Sequence, residues 1–157
     1  MTSEKKYHRE ILFRRNKGKL IFDRYTKKIS SIFSIDISMI NFLSLEESDM
    51  IRKYPFNYFQ MKSDVEMSES LMSKLTKQLK KLGEAYYVFI DDDWEYCGCF
   101  QISSLNLIKD TFRFGLDISD NLVFINESIT QKIVLDYYEM NNKYYLESEI
   151  YGLRLLS

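Results

Sequence analysis

The sequence of 157 residues contains little of what a catalytic or cofactor-binding site usually needs. It has one histidine, two cysteines, one proline and five glycines, and the glycines are scattered singly. Isolated glycines exclude the glycine-rich phosphate loops, and with them the usual motifs of nucleotide hydrolysis and dinucleotide binding. No apolar run approaches the roughly 20 residues of a membrane span, and no hydrophobic signal core follows the N-terminus. We therefore expect a cytoplasmic, non-enzymatic protein that needs no cofactor.

The scarce thiols and the single histidine also argue against metal or nucleophilic chemistry. Cys97 and Cys99 are separated only by Gly98, and two cysteines agree with a reducing compartment. A structural zinc site would need more ligands than these, and Cys–His catalysis would need the distant His8 to reach back. The sequence favours buried core thiols, with Gly98 marking a bulge or a close backbone contact.

The densest charge run is Asp91-Asp92-Asp93-Trp94-Glu95. A calcium loop of the helix-loop-helix kind that began at Asp91 would need glycine at its sixth position and glutamate at its twelfth. The chain has Tyr96 and Ile102 there. We expect no metal at this run, which leaves a solvated turn or an acidic loop that faces a partner.

Charge is balanced in total but unbalanced along the chain. Residues 1–81 carry 17 Lys and Arg against 10 Asp and Glu, whereas residues 82–157 carry 5 against 13. Such asymmetry is informative about partners and not about the fold. It favours a protein that binds through electrostatic attraction.

The first 25 residues suggest a basic hairpin. Two apolar segments flank Asn16-Lys17-Gly18, and a glycine after an asparagine-containing turn is typical of a short hairpin loop. Basic and aromatic residues alternate there, as in surfaces that bind nucleic acids, and this is the alternative function. A sequence pI near 5.9 and the acidic second half argue against it. The candidate nucleic-acid-binding residues are Arg14, Arg15, Lys17 and Lys19.

The remaining segments predict a single α+β domain over residues 1–157. A capping box that begins at Ser44 predicts a short helix that ends before Pro55, and Ser68 opens an amphipathic helix that ends at Gly83. Strands are expected at 85–90, 96–102 and 122–125, while 103–115 is ambiguous between helix and edge strand. We expect a mainly antiparallel sheet with an N-terminal hairpin and about two helices packed on one face.

The last hairpin is predicted down to its register. Residues 132–140 and 143–151 flank Asn141-Asn142, which tolerates the positive φ of a two-residue type I′ turn. This register places Asp136 directly opposite Glu147, with Glu149 beside them. Because like charges at that spacing are mildly destabilising, the arrangement indicates a surface that is kept for function.

A small, cysteine-poor α+β domain with an acidic β-surface and 12 tyrosines resembles the immunity proteins of bacterial polymorphic-toxin and contact-dependent growth inhibition systems. Residues 86–98 and 132–139 carry the resemblance. It implies a stoichiometric inhibitor that binds a cognate toxin domain, often a basic nuclease, and blocks its active site or substrate groove. From charge and hydropathy we expect no membrane partner and do not favour nucleic acid. The expected partner-binding residues are Asp91, Asp92, Asp93, Trp94, Glu95, Asp136, Tyr138, Tyr145, Glu147 and Glu149.

Overall fold

The computed structural model describes residues 2–56, 59–115 and 120–152, in which four α-helices surround a six-stranded sheet. The helices are α1 (Ser3–Ile32), α2 (Leu45–Arg52), α3 (Glu69–Lys80) and α4 (Trp94–Cys97). The strands are β1 (Phe59–Glu66), β2 (Tyr86–Ile90), β3 (Phe100–Ile102), β4 (Asn121–Asn126), β5 (Lys132–Met140) and β6 (Lys143–Tyr151). All pairs are antiparallel, in the order β1-β6-β5-β4-β2-β3, which confirms the predicted α+β class.

The predicted N-terminal hairpin is wrong, because α1 runs without interruption through the proposed turn. Its buried positions include Ile11, Gly18, Tyr25 and Ile32, which are seven residues apart and so mark one face of a helix. Gly18 is not a turn residue. A Cβ atom there would overlap the carbonyl oxygen of Tyr96, so glycine is needed where α1 crosses α4.

This close crossing predicts that Gly18→Ala destabilises the protein by about 1–3 kcal/mol, because the added carbon meets backbone that no side-chain rotation can move. The usual helix preference for alanine over glycine, about 1 kcal/mol, opposes the clash without cancelling it. Gly83→Ala is the matched control, since a Cβ there meets nothing. Urea unfolding of both variants measures the effect, and an unchanged midpoint for Gly18→Ala would contradict the packing.

The two faces of the sheet are covered unequally. The larger core cluster lies on the face that carries Val88, Phe124 and Leu135, and α1 and α3 pack against it. A smaller cluster around Phe89 and Val123 lies on the opposite face and includes side chains of α2 and α4. The two helices expected on one face, α2 and α3, therefore lie on opposite faces of the sheet. The unpredicted α1 shares the larger layer with α3, and the short α4 shares the smaller layer with α2. Within the described chain, this smaller cluster takes no side chain from β1 or β6.

The predicted helices and the closing hairpin are confirmed. Ser44 forms a capping box with Glu47 at the start of α2, and the side chain of Ser68 caps α3. The hairpin has the expected register, with Asn141 and Asn142 at φ 55° and 63° and Asp136 opposite Glu147. Local sequence determines each of these features.

Two predictions about strands need correction. The expected strand over 96–102 is limited to β3, because the preceding residues form a turn and α4. β1 was not predicted. Its less polar residues Met61, Ser63 and Val65 alternate with strongly polar or charged ones, and this alternation has the period of a strand. The ambiguous stretch 103–115 contains one short 3₁₀ turn, Leu105–Leu107, and neither a longer helix nor a strand. Of the described helices, none has both the length and the apolar content to cross a membrane.

Candidate functional site

The structure separates the ten residues predicted to bind a partner into two groups. Five lie together where α2 and α4 leave the sheet uncovered: Asp136, Tyr138, Tyr145, Glu147 and Glu149. The other five lie in the turn after β2 and in α4: Asp91, Asp92, Asp93, Trp94 and Glu95. The first group lies on one face of the sheet, whereas in the second group Asp92 and Glu95 are exposed and Asp93 is buried.

Strand register explains why the first group converges. Side chains two residues apart in a strand point to the same face, and β5 pairs with β6 so that Asp136 is opposite Glu147 and Tyr138 is opposite Tyr145. β1 then places Asp64 on the other side of Glu147. Three carboxylates therefore form a row across three adjacent strands. We call this surface the acidic sheet face, and its residues are Lys62, Asp64, Asp136, Tyr138, Tyr145, Glu147 and Glu149.

One lysine partly compensates the carboxylates of the acidic sheet face. The Nζ atom of Lys62 lies 3.2 Å from Glu147 Oε1 and 4.0 Å from Glu149 Oε1. The hydrogen bond to Glu147, reinforced by the surrounding negative charge, raises the pKa of Lys62, so the ammonium stays charged at neutral pH. Part of the repulsion expected from the sequence is thus relieved within the chain. The face as defined contains four carboxylates and this one lysine, while the positive charge of Lys132 also acts on Glu149 from its edge.

Tyrosines supply the apolar part of the acidic sheet face. The rings of Tyr138 and Tyr145 stack with their centroids 5.5 Å apart. The hydroxyl of Tyr138 donates to both carboxylate oxygens of Asp64 at 2.7 Å, and this bond raises the pKa of Tyr138 to about 12. Tyr151 donates to Glu149 and lies 4.9 Å from the ammonium of Lys132, at the far end of the face. The hydroxyls of Tyr138 and Tyr151 are therefore oriented hydrogen-bond donors that stay protonated at neutral pH.

Three residues of the acidic run after β2 make structural contacts, while Asp92 and Glu95 are exposed. Lys28 of α1 donates to Asp91 at 2.8 Å and to Asp93 at 3.0 Å, and Asp93 is 0% exposed. The ring of Trp94 packs edge-on against Phe89 at 5.1 Å. Asp93 therefore cannot contact a partner, which corrects its place in the predicted surface. Over the described ranges, no group of three or more His, Cys, Asp or Glu side chains could hold a metal ion.

The basic residues proposed for nucleic-acid binding do not form the predicted surface. Arg14 is buried, with both terminal nitrogens 2.8 Å from the carboxylate of Asp49 and its Nε donating to the carbonyl oxygen of Glu95. Lys17 lies over the Tyr96 ring at 4.1 Å. Arg15 reaches Glu46 at 3.6 Å, and Lys19 is exposed on α1. With one cation inside the protein and no hairpin, the geometry on which this alternative depends is absent.

The two cysteines belong to the core and its margin. Cys99 is fully buried, and burial raises the pKa of its thiol to about 12. Partial burial of Cys97 raises the pKa of the Cys97 thiol to about 11. Both thiols are consequently protonated at neutral pH. Gly98 between them has φ 87°, and a Cβ atom there would overlap the carbonyl oxygen of Leu43, which confirms the close backbone contact expected from the sequence.

Comparisons of the chain with protein-family models, with curated proteins and with solved structures found no match. The functional conclusion is therefore based on the chemistry of the acidic sheet face. Asp64 and Lys62, which sequence analysis missed, are part of that chemistry. Recognising the strand alternation around Ser63 could have found both.

Proposed function

We propose that the protein is a non-enzymatic immunity protein, which neutralises a cognate toxin domain by stoichiometric binding through the acidic sheet face. The observation that supports this most is the row of Asp64, Glu147 and Asp136 across β1, β6 and β5. Directly opposed like charges destabilise a sheet. A partner that brings lysines or arginines opposite the row turns this cost into an attraction that exists only in the complex.

The chemistry of the acidic sheet face favours a cationic protein and suits a nuclease domain. A nuclease groove is positively charged because it holds phosphates, and clustered carboxylates can fill it and accelerate association. Tyr138 and Tyr145 are anchors of the kind that dominate such interfaces, since they combine a large apolar ring with a hydroxyl group. A toxin whose groove is occupied in this way cannot bind its substrate.

The test uses a candidate cognate toxin domain, sought at the C-terminus of a secreted protein encoded by the neighbouring reading frame. Asp136→Asn with Glu147→Gln should weaken binding to that domain by about 2 kcal/mol, roughly 30-fold, because charge pairs buried in the interface are lost. The free variant should differ little in stability, since relief of repulsion is offset by loss of the contact between Lys62 and Glu147. Calorimetric titration measures the affinity, and a melting curve checks the fold.

A matched control removes the same charge elsewhere. Asp23→Asn with Glu127→Gln changes two exposed carboxylates outside the acidic sheet face and should bind as the wild type does. The wild type and this control should also protect cells that express the toxin domain. If the wild type neither binds nor protects, the immunity proposal fails. If Asp136→Asn/Glu147→Gln binds as tightly as the control, the toxin is bound by another surface.

A further inference from the structure

The two edges of the sheet differ in whether another segment covers them. At the β3 edge, Phe100 forms a bridge with Phe42 from the segment between α1 and α2. At the other edge β1 pairs with β6 on one side, and within the described ranges no other strand pairs with it. An uncovered strand presents free N–H and C=O groups, which are a template for pairing with another chain.

The side chains of β1 are exposed on both faces of the sheet. On the acidic sheet face, Lys62 and Asp64 are exposed, with charges of opposite sign two residues apart. On the opposite face, Met61 and Val65 are 49% and 39% exposed. Ser63 lies at the centre of this pattern. On either side of Ser63, at equal distances, the strand therefore carries two charges of opposite sign and two apolar side chains.

This symmetry matters because two copies of one antiparallel strand pair around a two-fold axis. With the axis at Ser63, Lys62 of each copy lies opposite Asp64 of the other, and Met61 lies opposite Val65. Each attractive pair then occurs twice. Opposite charges and apolar groups in directly opposed positions stabilise antiparallel strands.

The neighbouring registers are unfavourable. Side chains in directly opposed positions share a face, so a symmetric pairing of this kind has to centre on a residue. Centring on Lys62 opposes two lysines, and centring on Asp64 opposes two aspartates. Both alternatives place like charges at the closest cross-strand distance. Of these three registers, only the one at Ser63 avoids this.

We propose that a second copy of this chain pairs with β1 in antiparallel register around Ser63, which joins the two sheets into one. The partner is identified by the self-complementary charges of Lys62 and Asp64 and by the apolar contact of Met61 with Val65. The two-fold axis is perpendicular to the sheet, so both acidic sheet faces point to the same side of the dimer. The inference does not rest on the proposed toxin binding, although Lys62 and Asp64 belong to both surfaces, so its tests measure self-association alone.

Charge reversal tests the pairing. Lys62→Glu and Asp64→Lys each replace two attractive pairs by two repulsive ones, so each variant alone should dissociate at least about tenfold more readily than the wild type. In a mixture of the two variants, the introduced glutamate faces the introduced lysine and the remaining Asp64 faces the remaining Lys62, so a heterodimer should form. Analytical ultracentrifugation across the micromolar range measures the mass. Lys143→Glu at the hairpin tip is the control and should dimerise as the wild type does.

A second measurement does not depend on these charges or on the stability of the reversed variants. Ser63→Cys places two thiols opposite each other at the axis, so oxidised glutathione should convert this variant to a covalent dimer. Ser73→Cys on the exposed side of α3 is the control and should remain uncoupled. A wild type that stays at the 18.9 kDa mass of one chain, or a Ser63→Cys variant that couples no faster than Ser73→Cys, would overturn the proposal.

Discussion

Lys28→Met is expected to lower the free energy of unfolding by about 3–5 kcal/mol, because it leaves buried carboxylates without their cation. The side chain of Lys28 is 8% exposed and donates to Asp91 and Asp93. Asp91 keeps the backbone N–H groups of residues 120 and 121 as donors. Among the residues that the structure describes, Asp93 keeps only the more distant Arg24, at 3.4 Å, as a side-chain partner, and its Oδ2 already has none. The cost therefore comes mainly from Asp93.

A double-mutant cycle can assign this cost. Adding Asp93→Asn to Lys28→Met removes the uncompensated charge and should recover part of the lost stability, whereas two independent mutations would add their effects. Lys80→Met is the matched control. It breaks an ion pair with Asp110 of the same 2.8 Å length, but Asp110 is exposed, so little change is expected. Urea unfolding measures the four proteins of the cycle, including Asp93→Asn alone, and the Lys80→Met control. An additive cycle would show that Asp93 does not depend on Lys28.

The same buried cations explain why the N-terminal helix could not be read from sequence. Along its inner face, α1 buries Arg14, Gly18 and Lys28 together with aliphatic and aromatic residues. Two cations and a glycine interrupt the apolar stripe by which an amphipathic helix is recognised. They are tolerated inside because Asp49 and Asp93 meet them, 35 and 65 residues away along the chain. No local pattern contains that information.

Features that depend on neighbouring residues were predictable. The turn at Asn141-Asn142 fixes the register of the closing hairpin, and this register places Asp136 opposite Glu147. Five of the seven residues of the acidic sheet face followed from it. The other contributions, from Lys62 and Asp64, required knowing that β1 lies beside β6, a pairing that joins distant parts of the chain. Asp93 was wrongly placed on the predicted surface for a similar reason, since the lysine that it pairs with inside the protein comes from α1.

The contact between Arg14 and Asp49 is the second buried ion pair that holds α1 to the rest of the protein. Both terminal nitrogens of Arg14 lie 2.8 Å from the carboxylate, and Tyr7 donates to the same carboxylate at 2.6 Å. Burial alone would raise the pKa of Asp49, but the hydrogen bonds from Arg14 and Tyr7 outweigh it and hold the pKa below its usual value. Asp49 is thus ionised in the folded protein at neutral pH.

Asp49→Asn should therefore destabilise the protein by about 3 kcal/mol or more at neutral pH, because the guanidinium of Arg14 stays buried without a counter-charge. The loss of stability should become smaller as the pH falls. A carboxyl whose folded pKa lies below its unfolded pKa contributes stability that is complete above the unfolded value, about 4, and is lost as the pH falls through the folded value. The difference in free energy of unfolding between wild type and Asp49→Asn should consequently narrow in acid.

Asp110→Asn is the control. It breaks the exposed pair with Lys80 and should show only a small change in stability at neutral pH. Urea unfolding of the three proteins from neutral pH downward measures the difference between wild type and Asp49→Asn. A difference that stays constant into strong acid would show that the loss comes from altered packing and not from the charge of Asp49.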